Sequence, residues 1–211
     1  MDVKVICTDD NYYFRLGISG VIEAAFLCTA NVEFLSNYDS KNIQQADFIL
    51  VHVSQWRLFM CQPAYRHRKP GSVLLVFVDR TDSISSEQLP VCYQSLTLID
   101  PTENVSKIRD KIANAWLTAQ KKTSTFMPSD CVRCKFSRIS LVQLQVISFI
   151  KKGSSVRQIA KSLGLSIKTI YAHKYNVMKK FNIKSDCDFC FFLNDLSLIE
   201  LYKGVVNDNE S

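Results

Sequence analysis

The chain has 211 residues, 47% of them hydrophobic and 22% charged, with eight cysteines and a formal net charge of +6. Such a composition suits one sizeable folded domain or two small ones, and it excludes disordered and low-complexity chains. No apolar run approaches the ~18 residues of a membrane span, and the opening "MDVKVICTDD" has neither the basic flank nor the apolar core of a signal peptide, so a cytoplasmic location is expected.

In chain order, five short apolar runs read as strands: Val3 to Cys7, Val32 to Leu35, "DFILVHV" from Asp47 to Val53, Ser72 to Val78, and Ser95 to Ile99. Helical periodicity lies between and after them. "YYFRLGISGVIEAAFL" gathers Phe14, Ile18, Val21, Ile22 and Ala25 on one side, and "TENVSKIRDKIANAWL" does the same with Val105, Ile108, Ile112, Ala115 and Trp116. Alternating strands and helices imply a parallel sheet covered on both faces. In such sheets ligands sit at the carboxyl ends of the strands, where Asp9, Asp10, His52, Asp79 and Asp100 fall.

This order of elements, with "CTDD" as an acidic pair and "DFILVHV" as a third strand, resembles the receiver domain of bacterial response regulators, a flavodoxin-like five-stranded fold. The resemblance spans residues 1–119 and implies a phosphate-accepting aspartate where His52 stands, a lysine where Asp100 stands in "LIDP", and a small hydroxyl residue where Val78 or Asp79 stands. Only the acidic pair is kept. A receiver forms an acyl phosphate on a carboxylate while magnesium and the lysine offset the developing charge, and imidazole cannot form that species. The expectation is therefore a degenerate phosphorylation pocket made of Asp9, Asp10, His52 and Asp100, with no fixed cation except a protonated His52 held by the two aspartates.

Residues 120–136, "QKKTSTFMPSDCVRCKF", read as a linker. Across 121–184 there are 14 Lys and Arg against Asp130 alone, a net +13, while 1–120 carries −2 and 185–211 carries −5. That local excess points to a polyanion, nucleic acid being the commonest. The same stretch is punctuated as helices. Ser140 and Gln143 stand in capping-box spacing before Leu144, Ile147 and Ile150, with a stop at Gly153; Ser155 and Gln158 repeat the device before Ile159, Ala160 and Leu163, with a stop at Gly164. After Leu165, Ser166 caps "IKTIYAHKYNVMKKF". Two short helices joined by a glycine turn, the second basic, describe a helix-turn-helix. In the second, Ile167, Ile170, Val177 and Phe181 are expected to face the core. Lys168, Tyr171, Ala172, Tyr175 and Lys179 are expected to face out, with lysines for phosphates and tyrosines for base edges or thymine methyls.

From "RISLVQLQ" to "NIKSD" the text, including Ile159-Ala160, Ser166, Thr169-Ile170 and His173, resembles the LuxR-type, or NarL/FixJ-type, DNA-binding domain, here 137–211. "IKTIYAHKYNVMKKF" is most similar to the RcsA/BglJ group of auxiliary regulators. The resemblance implies double-stranded DNA as ligand, base contacts from Tyr171, Ala172 and Tyr175, and backbone contacts near Lys168, Thr169, Lys174 and Lys179. It also implies a homodimer, or a heterodimer with a response regulator of the RcsB type, independent of phosphorylation. Tyrosines at the first and third base-contacting positions, where basic residues are common, leave the target sequence open.

The last helical run, "SDCDFCFFLNDLSLIELY", carries more apolar residues than one stripe can bury, and Phe189, Phe192, Leu193 and Leu196 are assigned to dimerisation. Two C-x-x-C pairs, Cys131/Cys134 and Cys187/Cys190, lie 52 residues apart, which weakens a zinc reading; no metal or cofactor is expected, and the cysteines read as thiols of a reducing compartment. His52, His67 and His173 have no convincing nucleophile, and there is no glycine-rich phosphate loop, so no enzyme is expected. The alternative reading is a protein-interaction module that modulates another regulator with little DNA binding of its own.

Overall fold

A computed structural model describes residues 1–59, 62–78, 89–93, 95–121 and 139–195. The chain divides into two compact units, Met1–Cys134 and Lys135–Ser211. Of the expected linker only residues 120 and 121 are described, and they continue a helix; the remainder, with Asp79, Leu196 and Cys61, Cys131 and Cys134, lies outside the described residues.

In the first unit the strands are β1 (Asp2–Cys7), β2 (Asn31–Phe34), β3 (Phe48–His52), β4 (Val73–Phe77) and β5 (Leu96–Ile99), all parallel, in the order β2-β1-β3-β4-β5. This is the flavodoxin-like doubly wound order, with its switch point between β1 and β3. The two central strands have almost no polar side chains because both of their faces are covered: β4 is buried throughout, and in β3 only His52 emerges. Edge strand β2 keeps alternate residues exposed.

One face is covered by helices α1 (Tyr12–Ala25) and α3 (Val105–Lys121), which bury Ile18, Ile22, Ile108 and Ile112 against Val5, Phe48, Leu50, Leu75 and Ile99. Trp116 stacks on Phe48 with centroids 5.4 Å apart, and Phe26 meets both rings edge-on at 5.3 and 6.2 Å. The β2-to-β3 connection carries α2 (Ser40–Gln45), capped by Asp39, whose one apolar face is Ile43; six residues are too few for periodicity to reveal. Between β3 and β4 the described residues form 3₁₀ turns, Gln55–Phe59 and Pro63–His67, where the sequence pattern led to expect alternation with helices. They still close the core, burying Leu58, Phe59 and Tyr65.

The second unit holds α4 (Leu141–Lys151), α5 (Val156–Leu163), α6 (Ile167–Lys180) and α7 (Asp186–Asp195). Both expected capping boxes form: Ser140 and Gln143 exchange backbone and side-chain hydrogen bonds, as do Ser155 and Gln158. The Thr169 N–H donates to Ser166 Oγ at 3.0 Å, and the Asp188 N–H donates to Ser185 Oγ at 3.0 Å, opening α6 and α7. Val146, Ile159, Ala160 and Ile170 make the core between α4, α5 and α6. Ile167, expected on the core face, is instead 45% exposed, because it opens α6 one turn ahead of Ile170.

The α5-to-α6 turn depends on Gly164, which has φ +64° and donates its N–H to the Ala160 carbonyl. An L side chain there meets its own carbonyl, so Gly164→Ala is expected to cost about 1 kcal/mol in urea unfolding. Nothing lies within 4 Å of the added Cβ, so the loss is one of backbone strain, and the fold survives.

Candidate nucleic-acid interface

Helix α6 is held by burying Ile170, Val177 and Met178, which leaves Lys168, Tyr171, Ala172, Tyr175 and Lys179 exposed along its opposite side. Tyr171 and Tyr175, one turn apart, stack with centroids 6.3 Å apart and planes inclined by 22°. Together they present an aromatic ledge flanked by two lysines. Asn176, one turn beyond Ala172, is exposed too; its +4 spacing was the signal that sequence reading passed over. Thr169 is half-buried, and its hydroxyl lies 2.7 Å from Ser166 Oγ, so it serves the start of the helix.

Lys174 behaves differently from the other lysines. Its side chain is 15% exposed, its Nζ lies 2.8 Å from Asp186 Oδ1, and the ammonium sits 5.7 and 5.5 Å from the ring centres of Tyr175 and Phe189. That geometry joins the start of α7 to the middle of α6 and steadies Tyr175, leaving Lys174 little freedom to reach a phosphate.

Phe189, Phe192 and Leu193, read from sequence as a dimerisation surface, are 2%, 0% and 5% exposed. Phe192 packs on Phe181 at 5.0 Å and on Phe189 at 5.7 Å, so these side chains complete their own unit's core and are not available to a partner. The outer face of α7 carries Cys187, Cys190 and Phe191 instead.

At the carboxyl ends of the strands, His52 Nδ1 lies 3.6 Å from Asp9 Oδ2, and the His52 ring stacks beneath Phe14 at 6.5 Å. Asp10 does not join them. It points outward to Arg15, whose Nη2 is 2.6 Å from Asp10 Oδ1 and whose Nε donates to the Asp9 carbonyl at 2.8 Å. The cation beside the acidic pair is thus Arg15, in the first turn of α1, held on the outward-pointing Asp10 and on the Asp9 main chain. Its signal was the spacing of five and six residues from the aspartates, which a helix start after Asn11 folds back onto them. Asp100, two strands from β3, spends Oδ1 on the Thr102 N–H and hydroxyl at 2.9 and 2.6 Å. These residues do not fit a magnesium ion. One carboxylate of the acidic pair is neutralised by a guanidinium and the other accepts the Asn11 N–H at 2.8 Å, and the described residues contain no group of three or more metal-ligating side chains.

The comparisons with known proteins agree with the second unit's geometry. Residues 139–192 match the family model described as "Bacterial regulatory proteins, luxR family". The matched segment is therefore similar to LuxR-type helix-turn-helix domains, and in the chain it follows the five-stranded α/β unit. More particularly, the chain is 32% identical over 98 residues to "Transcriptional activator protein BglJ" of Escherichia coli K12, covering 46% of this chain and 36% of that protein. It is 34% identical over 93 residues to "Oxygen regulatory protein NreC" of Staphylococcus carnosus, covering 44% of this chain and 38% of that one. Each match spans less than half the length of the curated relative. Among solved structures, the "two-component response regulator RcsB-DNA complex" aligns over 93% of this chain and 100% of its own, with 19% identity and a TM-score of 0.47.

Gln143 is 8% exposed, and its Oε1 accepts from both the Ser140 N–H and Lys180 Nζ at 3.1 Å. Burial holds Lys180 below the usual lysine range. Gln143→Glu keeps the capping box and gives that ammonium a carboxylate. Thermal unfolding at neutral pH is expected to show a gain of about 0.5–1 kcal/mol. The new carboxylate is held charged by Lys180, so its folded pKa falls below the unfolded value; the gain is present above about pH 4.3 and is lost as pH falls through the folded pKa.

Proposed function

We propose that this chain is a DNA-binding transcription regulator that lays α6 in the major groove and acts without phosphorylation, as a homodimer or as a heterodimer with a response regulator of the RcsB type. The observation that carries the reading is the outer face of α6. Two lysines flank a pair of stacked tyrosines on a helix that a glycine turn sets against α5, within a segment of net +13. Lys168 and Lys179 neutralise phosphates and position the helix; Tyr171, Ala172 and Tyr175 face the base edges, where aromatic and methyl surfaces favour thymine methyls. His52 at the end of β3 provides no acid to phosphorylate, and Arg15 already pairs with Asp10, one of the two aspartates. Input therefore comes through a protein contact. The likeness to a protein named as a transcriptional activator supports regulation as the outcome.

Fluorescence anisotropy on promoter DNA across a salt series tests the DNA reading. Lys168→Ala and Lys179→Ala are each expected to weaken binding on all sequences and to reduce the log–log salt slope by about 1. Lys174→Ala leaves the slope unchanged, since that ammonium is bound to Asp186. If neither of the first two variants moves affinity or slope, the chain is better read as a module that modulates another regulator. Incubation with acetyl phosphate and magnesium is expected to leave the protein unlabelled and its DNA affinity unaltered, for wild type and for His52→Asp alike, because restoring one carboxylate leaves Arg15 and Asp100 in place. Stoichiometric labelling of the wild type would sink phosphorylation independence.

A further inference from the structure

Helix α7 opens with two exposed thiols, Cys187 and Cys190, in "CDFC". Among the described cysteines they alone are both exposed and close in sequence. Cys7 and Cys92 are buried, their sulfurs accepting the Asp9 and Gln62 N–H groups at 3.3 Å, and Cys28 is a single exposed thiol after α1. Residues at i and i+3 share one side of a helix, so Cys187 and Cys190 face solvent together. Cysteine that serves packing is buried as a small apolar group, and packing does not account for two of them on an open face.

A thiol pair can hold a soft metal or join to itself. Structural zinc needs two further ligands, and among the described residues no three His, Cys, Asp or Glu side chains come together. The nearest carboxylates are already engaged: Asp188 Oδ2 accepts from the Ser185 hydroxyl at 2.7 Å, and Asp186 Oδ1 lies 2.8 Å from Lys174 Nζ. Joining needs only the two sulfurs. Helical neighbours at i and i+3 stand about 5–6 Å apart at Cβ, and a disulfide spans about 3.5–4.5 Å. Closure therefore tightens the first turn of α7 by about 1–2 Å.

The same turn carries a second row of side chains. Asp186 and Phe189, each one residue before a cysteine, meet α6, where both hold Lys174: Asp186 through the ion pair, and Phe189 with its ring centre 5.5 Å from the ammonium. A change of spacing in the cysteine row is thus a change in the row that holds Lys174.

We propose that Cys187 and Cys190 are a modification site, a dithiol that a peroxide oxidises to an intramolecular disulfide, releasing Lys174 from Asp186. One sulfur attacks the peroxide and the O–O bond breaks; that sulfur keeps one oxygen as a sulfenic acid and the other leaves as water. The second sulfur then attacks the first, forming the S–S bond, breaking the S–O bond and releasing a second water. Two electrons pass from the sulfurs to the peroxide, and both thiol protons end in the waters. A dithiol reductant reverses the step by taking the disulfide itself.

The test treats the full chain with hydrogen peroxide, followed by trypsin and mass spectrometry. The peptide 185–203, bounded by cleavage after Lys184 and Lys203, contains both cysteines. It is expected to lose two hydrogen atoms and to regain them with dithiothreitol, and either Cys187→Ser or Cys190→Ser abolishes the loss. Pulsed acetylation is expected to label Lys174 about threefold faster in the oxidised chain, the worth of an ion pair at the surface. Asp186→Asn gives the same gain without peroxide. A peptide that gains oxygen instead of losing hydrogen, or one that closes with no change at Lys174, overturns the proposal. DNA titrations keep it apart from the reading above, since the freed ammonium steepens the log–log salt slope by about 1. Salt-dependent binding that closure leaves unaltered overturns the release of Lys174. A chain that closes and frees Lys174 but binds no DNA upholds this site and defeats the DNA reading.

Discussion

Ile170 packs against Val146, Ile159 and Ala160, and that contact sets the rotation of α6 about its own axis. Everything attributed to the outer face follows from it. A helix has one degree of freedom that periodicity leaves open, namely how far round the buried stripe extends. Ile170, Val177 and Met178 settle it by pointing inward, leaving the tyrosine ledge and two lysines opposite. The Gly164 turn and the Ser166 cap then fix where the helix begins, because a left-handed residue and a satisfied N-terminus allow little variation.

The first unit has the flavodoxin-like strand order, with His52 at the end of its third strand. β1 and β3 still deliver Asp9 and His52 to the switch point of the sheet, and Phe14 closes over them. Arg15 is tied by two hydrogen bonds to the loop that follows β1, one to the Asp9 carbonyl and one to the outward-pointing Asp10.

Much of this was legible in the sequence, and the reasons are local. All five strands lie within a residue or so of their expected limits, most plainly β3 and β4, because a strand buried on both faces needs an unbroken apolar run. The caps at Ser140, Ser155 and Ser166 were readable because a cap is decided within four residues. What escaped was short or compensated elsewhere. Helix α2 is too brief to show a period, and the 3₁₀ turns after β3 have none to show. Phe189, Phe192 and Leu193 looked like surplus until Phe181, from the end of another helix, was found against them.

The sequence by itself determined which segments are strands and which are helices, where three helices begin, that the basic charge is concentrated in one stretch, and that the residue at the end of β3 is no longer an acid. Each of these is a property of neighbours along the chain. Only the tertiary structure decided how individual side chains are spent. Arg15 goes to Asp10, Lys174 to Asp186, and three aromatic or aliphatic residues of α7 to their own core. The physical reason is that a charge or an apolar surface is satisfied by whatever lies within a few ångströms of it. Which residue that is depends on how the elements pack, and composition and periodicity do not carry that information.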